Sequence, residues 1–293
     1  MRPIRLLSGF FTVGLWTLLS RVMGFVRDLL IAAFLGSGPV ADAFFAAFSL
    51  PNLFRRFFAE GAFNMAFVPL FAKKLEAEED AKQFAEDAFS GLGLLLILLT
   101  LIGLVFMPAL VSATAWGFRG DERFDLAVTY GRIAFPYVLL ISLAALLSGV
   151  LNATGRFAAA AAAPVLLNLV FITVMAVTWV FGGIAALDFG LPMSWALPIA
   201  GVAQFGLVWF AAKRAGYALF PKVPKLTPEL KRLMIIAVPA ILANGVGQIN
   251  LLVGRQVASR VEGAFSWLFY ADRLYQLPSA GGTALAAAPR QLQ

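Results

Sequence analysis

The chain has 293 residues, 61% hydrophobic and 13% charged, with a mean hydropathy of +0.85. A water-soluble domain of that size needs more polar surface to cover its core, so composition describes an all-α integral membrane protein. It contains no Cys and no His, which excludes disulfides, thiol catalysis, haem ligation and the common zinc sites. The net charge of +7 is distributed between apolar runs, which argues against a nucleic-acid partner.

Eight apolar spans are expected in chain order. The first covers Leu6–Leu35; its basic start resembles a signal peptide, but its length and the internal Arg21 and Arg27 point to a retained helix. The second starts near Val40 and meets Pro51, where proline must kink or break it; apolar character continues to Phe71. A charged loop is expected over Lys73–Asp87. Spans follow at Ser90–Ala113, Leu126–Leu151 (with Pro136 inside), Ala158–Phe181 and Ser194–Ala212. A basic, proline-containing segment ends near Arg232, the seventh span covers Leu233–Val257, and an eighth begins near Ala264.

This pattern predicts a six-helix lobe over residues 1–215, a basic cytoplasmic linker over 216–232, two helices of a second lobe over 233–279, and a divergent tail over 280–293. Arg2, Arg5, Lys73, Lys74, Lys82, Arg156, Lys213, Arg214, Lys222, Lys225, Lys231 and Arg232 fall on one side, against Arg119, Arg123 and Arg260 on the other. That asymmetry places the N-terminus in the cytoplasm. FFAAFSLPN near residue 50 is echoed by FYADRLYQLPS near residue 275, and repeated bundles around a cavity are a transporter plan.

Charged residues inside the spans are the candidate site. A charge at bilayer depth costs about 2.5–3.5 kcal/mol on the lenient insertion scale, so it faces protein, water or a ligand. Arg21 and Asp28 share one helical face, with Arg27 about 100° from Asp28. Two arginines against one carboxylate leave positive charge that an anion can offset, and guanidinium matches phosphate oxygens bidentately. Each residue also has a plainer reading. Arg21 and Arg27 fit an ion pair plus a snorkelling arginine, Asp42 fits a cap on its own helix, and Arg55, Arg56 and Glu60 fit the inner end of a span. Asp272 and Arg273 fit a structural pair, and Arg132 and Arg255 fit snorkelling. No nucleophile with a base, acidic cluster or phosphate-binding loop emerges, so neither an enzyme nor a cofactor is expected.

The segments SRVMGFVRD (20–28), ADAFFAAFSLPNLFRRFFAEGAFNMAFVP (41–69), FPYVLLISL (135–143), LNATGRF (151–157) and FYADRLYQLPS (269–279) resemble the MurJ/MviN lipid II flippases of the multidrug/oligosaccharidyl-lipid/polysaccharide transporter superfamily. The resemblance implies a two-lobed, fourteen-helix carrier of lipid-linked peptidoglycan precursor across the bacterial inner membrane. It implies substrate-binding roles for Arg21, Arg27, Arg55 and Arg273 in a central cationic cavity. Asp28, Asp42 and Glu60, with the neighbouring Asp272, become charge partners or gating groups. Lipid II and membrane lipids are the implied partners, with cell-wall synthesis enzymes as further candidates. The runner-up is a polysaccharide-repeat exporter or a cation-coupled drug antiporter of the same superfamily; a membrane enzyme acting on polyprenyl phosphates lacks its acid cluster. After Ser279 the chain departs from the family pattern, so a C-terminally truncated form, inactive alone, is expected.

Overall fold

The computed structural model describes residues 3–58, 62–77, 79–182, 186–223 and 227–273, and among them no strand occurs. The helices are α1 (Pro3–Leu35), α2 (Pro39–Phe58), α3 (Ala62–Glu76), α4 (Ala81–Val105), α5 (Met107–Thr114), α6 (Glu122–Ala134), α7 (Tyr137–Ala153), α8 (Ala158–Phe181), α9 (Ala186–Arg214) and α10 (Pro228–Ala258). A short 3₁₀ turn, Trp116–Phe118, joins α5 to α6, and a last helix, α11, occupies 264–273. Among the described residues, four stretches are long and apolar enough to cross a membrane: α4, α6 with α7, α8, and Phe189–Arg214 of α9. Their exposed leucines, isoleucines and phenylalanines fit a lipid-facing surface rather than a wet one.

Aromatic side chains fill the interior. Phe44, Phe45 and Phe67 are buried, Phe45 stacks on Phe269, and Phe67 stacks on Phe84. α1 lies along α8, α8 and α7 pack on α9, α2 packs on α6, and α10 leans on α3. Residues 228–273 therefore rest on the first bundle.

Prolines decide where polar side chains are needed. Pro51 does not end α2, which continues to Phe58. Around it side chains add to the backbone bonds: Asn52 Nδ2 donates to the Phe48 carbonyl at 3.0 Å and Ser49 Oγ to the Ala46 carbonyl at 2.7 Å. The expected span Ser90–Ala113 is broken instead at Phe106. Pro108 has no N–H for the Leu104 carbonyl, and Arg132 Nε donates to that oxygen at 3.3 Å. Arg132, an exposed residue, thus serves a helix break.

Most of the expected charged loop Lys73–Asp87 is helical, because α3 runs to Glu76 and α4 starts at Ala81. The basic segment after α9 is docked. Gly216, at φ +92°, ends α9, and the chain folds back so that Trp209 Nε1 donates to the Leu219 carbonyl at 3.1 Å. Leu219 is buried, Lys222 N donates to Ser90 Oγ at 3.0 Å, and Lys222 Nζ pairs with Glu86. From Pro228 the segment is already helix.

Candidate anion-binding site

On α1, Arg27 is turned toward α8. Its Nη1 donates to Asn168 Oδ1 at 2.9 Å, and Asn168 Nδ2 donates in turn to the Ser20 carbonyl at 2.9 Å. Phe171 lies under the guanidinium, 5.8 Å from Cζ to the ring centre. Adjacent helical residues do not normally face each other. Arg27 is long enough to reach back, and its Nε and Nη2 both bind Asp28 Oδ1, at 3.0 and 2.6 Å. The second oxygen, Asp28 Oδ2, is 3.4 Å from Arg273 Nε on α11. Asp28 therefore joins arginines that are 246 positions apart in the chain.

Two helical stripes bring Arg273 there. On α11, Ser266, Phe269, Tyr270 and Arg273 follow the three-and-four spacing of one helix face. On α2, Asp42, Phe45, Phe48, Ser49, Asn52 and Arg55 do the same. The faces meet in register. Asp42 binds Ser266, Phe45 stacks on Phe269 at 4.1 Å and crosses Tyr270 edge-on at 5.3 Å, and Tyr270 OH donates to the Gly36 carbonyl at 2.8 Å. The interface is polar where both helices start, aromatic in its middle and cationic beyond.

At the polar end Asp42 is fully buried, and every described contact of its carboxylate is with a donor. Oδ1 accepts from Ser266 N and Ser266 Oγ, each at 2.9 Å; Oδ2 accepts from Gly263 N at 2.8 Å and Arg123 Nη1 at 3.3 Å. Gly263 precedes α11, has φ +81° and offers no side chain to cap it. Asp42 supplies that cap from another helix, meeting the N-terminal N–H groups and the positive end of the helix dipole. The expectation that Asp42 caps its own helix is corrected: it caps α11.

Beside it lies a second contact. Gly117 N donates to Ser259 Oγ at 3.0 Å and Trp116 N to Gln256 Oε1 at 3.0 Å. Gln256 Nε2 donates to the carbonyls of Ser112, at 3.1 Å, and Ala113. A Cβ on Gly117 would lie 2.5 Å from the Ser259 carbonyl carbon and oxygen, so only glycine permits this approach.

The remaining charged residues extend the arginine site. Arg273 feels an attraction from Asp28 and repulsion from Arg27, Arg56 and Arg55. Arg255 on α10 is repelled by Arg56 and drawn to Asp272. Arg255 is partly buried. Arg55 Nε donates to Asn52 Oδ1 at 3.4 Å. Among the described residues this neighbourhood holds Arg27, Arg55, Arg56, Arg255 and Arg273 against Asp28 and Asp272, an excess of positive charge.

Of the residues expected in the site, Arg27, Asp28 and Arg273 are in contact, and Arg55 and Asp272 are within electrostatic reach. Arg273 pairs with Asp28, not with its neighbour Asp272, which is exposed. Asp42 lies at the other end of the α2 stripe. Arg21 is exposed and joined to the cluster by no hydrogen bond or ion pair among the described residues. Glu60 and the tail 280–293 lie outside the described residues. Asn168, Arg123, Ser266 and Gln256 were not singled out from sequence. Asn168 carried a usable signal, a lone amide deep in an apolar span.

Comparison with known proteins identifies the family. A family model described as lipid II flippase MurJ matches residues 31–280. The chain is 49% identical over 277 residues to a protein named probable lipid II flippase MurJ from Rhizobium meliloti (strain 1021), covering 93% of this chain and 52% of the relative. A solved structure titled lipid II flippase MurJ, inward closed conformation, superposes with a TM-score of 0.73 at 26% identity, covering 91% of this chain and 54% of that one. A MATE crystal structure shares the fold, with a TM-score of 0.65 at 17% identity over 90% of this chain and 60% of its own. The chain spans about half the length of the curated relatives it matches. With its fold, its apolar helices and this likeness over most of its length, the chain is a multi-pass membrane protein that belongs to the lipid II flippase MurJ family.

Proposed function

We propose that the chain forms the first lobe and the opening of the second lobe of a flippase for lipid II. In this reading residues 1–215 are a six-helix lobe, 216–232 a cytoplasmic linker and 233–279 the first two helices of the partner lobe, about eight spans in the bacterial inner membrane with the N-terminus inside. The observation that carries it is Asp28 held between Arg27 and Arg273, in a neighbourhood where arginines outnumber carboxylates among the described residues. Such an excess suits a diphosphate, which accepts charge-assisted, bidentate hydrogen bonds from guanidinium. The polyprenyl tail stays in lipid, and only the polar head needs a sheltered path between lobes that rock around it.

Within this cycle Asp28 and Asp272 hold the arginines in place, Arg21 and Arg55 add cations along the path, and Asp42 gates the outer side by capping α11. A cationic-drug antiporter is disfavoured, since it needs surplus carboxylate where this site has surplus guanidinium. The test is complementation of a strain depleted of its lipid II flippase, using this chain joined to the remaining spans of a relative. Growth is expected, and its loss on Arg27→Ala with unchanged membrane insertion. Full rescue by Arg27→Ala overturns the role given to the arginines.

A further inference from the structure

α8 carries Asn168, and Asn168 holds Arg27, so the register of α8 against its neighbours decides where that guanidinium lies. Apolar contact fixes this register poorly. Lipid tails are as apolar as a helix surface, so register between spanning helices falls to side-chain shape and to polar bonds. α8 opens with Ala158–Ala163, all alanine, a smooth stretch with no ridge to seat in a neighbour's groove. At its end stands a polar bond. Gln204, buried in α9, donates from Nε2 to the Ala163 carbonyl at 2.9 Å. Its Oε1 accepts from the hydroxyl of Tyr137 on α7 at 3.1 Å, so the amide is held from both sides. Among the described residues this is the one hydrogen bond between α8 and α9, and both of those between α8 and α1 belong to Asn168.

We propose that Gln204, steadied by Tyr137, is a positioning residue for the anion site: it sets the register of α8, and α8 presents Asn168 to Arg27. This rests on the reading of the arginines as a phosphate site and adds the residues that aim one of them. Ala163 and Asn168 lie on one helix that continues through Pro164, separated by about 7.5 Å of rise. Over so short a rod, a slide at the carbonyl passes to the amide almost undiminished. The Asn168 bond to Arg27 is 2.9 Å long, and such bonds weaken steeply once stretched or misaligned. A slide of about 1 Å is then enough to free the guanidinium. Among the described residues Gln204 bonds no charged group, so its effect on the anion passes through Asn168.

The chain has no cysteine, so exposed Thr173 on α8 and Val202 on α9 can be replaced by cysteine and spin-labelled in the whole chain in nanodiscs. The label distance reports register, and geranylgeranyl diphosphate serves as probe, with geranylgeraniol as control. Gln204→Leu keeps the bulk of the side chain and removes its bonds. It is expected to shift or broaden the label distance and to weaken diphosphate binding about three- to tenfold, the loss of one interhelical hydrogen bond. Tyr137→Phe, a milder change, is expected to move both readouts the same way by less. The deciding readout is the combination with Asn168→Ala. With Asn168 truncated, Gln204→Leu has nothing left to misplace and is expected to cost less than about a further twofold. Equal losses in the two backgrounds, the signature of a purely structural glutamine, overturn the proposal, as do an unchanged label distance and affinity in Gln204→Leu. If the unsubstituted chain binds no diphosphate but Gln204→Leu still shifts the label distance, the phosphate reading fails while the hold of Gln204 on α8 stands.

Discussion

Asp42 Oδ1 receives both the backbone N–H and the hydroxyl of Ser266, each at 2.9 Å, across 224 positions of sequence. A fully buried carboxylate with such partners cannot be removed cheaply. Taking away one side of a buried charged contact costs about 3–5 kcal/mol, because the other side is left without a partner. Asp42→Ala is therefore expected to release α11, and Arg123 with it, without unfolding α1–α9. Hydrogen exchange checks this. The amides of Gly263 and Ser266 should lose protection by two orders of magnitude or more (roughly the 3–5 kcal/mol equivalent), while those of α8 and α9 stay protected.

Asn168 holds Arg27 through a single charged hydrogen bond and is itself anchored to the Ser20 carbonyl. A hydrogen bond to a charged group contributes about 1.5–3 kcal/mol. Asn168→Ala leaves every arginine in the chain but frees the Arg27 side chain to turn away. Binding of geranylgeranyl diphosphate is expected to weaken by about ten- to a hundredfold. Asn168→Asp, which adds a carboxylate beside Arg27, should weaken it as well by competing with the ligand for the guanidinium.

The docked linker is held by packing more than by charge. Lys222 is half exposed, so its pair with Glu86 contributes little, at most about 1 kcal/mol. Leu219 is fully buried, and truncating a buried leucine costs about 2–5 kcal/mol. Thermal unfolding in mild detergent should show Leu219→Ala well below the parent and Lys222→Met close to it. The reverse order would mean that the ion pair fastens the linker.

Arg123 reaches Asp42 with one side-chain nitrogen and Asp121 with another, at 3.3 and 2.6 Å. Burial alone would raise the Asp121 carboxyl, but hydrogen bonds from the Arg123 backbone and side chain outweigh it and hold Asp121 below its ordinary value. A depressed carboxylate contributes stability that is present above the unfolded value, near 4, and is lost as pH falls through the folded one. The thermal unfolding midpoint in mild detergent should hold from pH 7 to about 5 and fall below about 4. In Asp121→Asn that acid-induced change should be smaller.

Legibility differed between the fold and the site. Four of the expected spans, those beginning near Ser90, Leu126, Ala158 and Ser194, followed from apolar run length, which the bilayer thickness sets directly. Helix breaks were less legible: Pro51 was passed over, whereas Phe106 ends a helix ahead of Pro108. At Pro108 the side chain that serves the freed carbonyl, Arg132, comes from another helix, which run length and local sequence do not announce. Arg27, Asp28 and Arg273 stood out because charge at bilayer depth needs a reason. Asp42 stood out too, but its partner did not. Nothing in Gly263 or Ser266 announces that α11 borrows its cap from α2, since that follows from tertiary packing of two helices far apart in sequence.

The most direct measurement is a titration of geranylgeranyl diphosphate against the chain in nanodiscs, with geranylgeraniol as the uncharged control. Tight binding of the diphosphate, no comparable binding of the alcohol, and a loss of about tenfold or more in each of Arg27→Gln and Arg273→Gln are predicted. Equal binding of alcohol and diphosphate, or full affinity in both arginine variants, would contradict the claim that these guanidinium groups form a phosphate site.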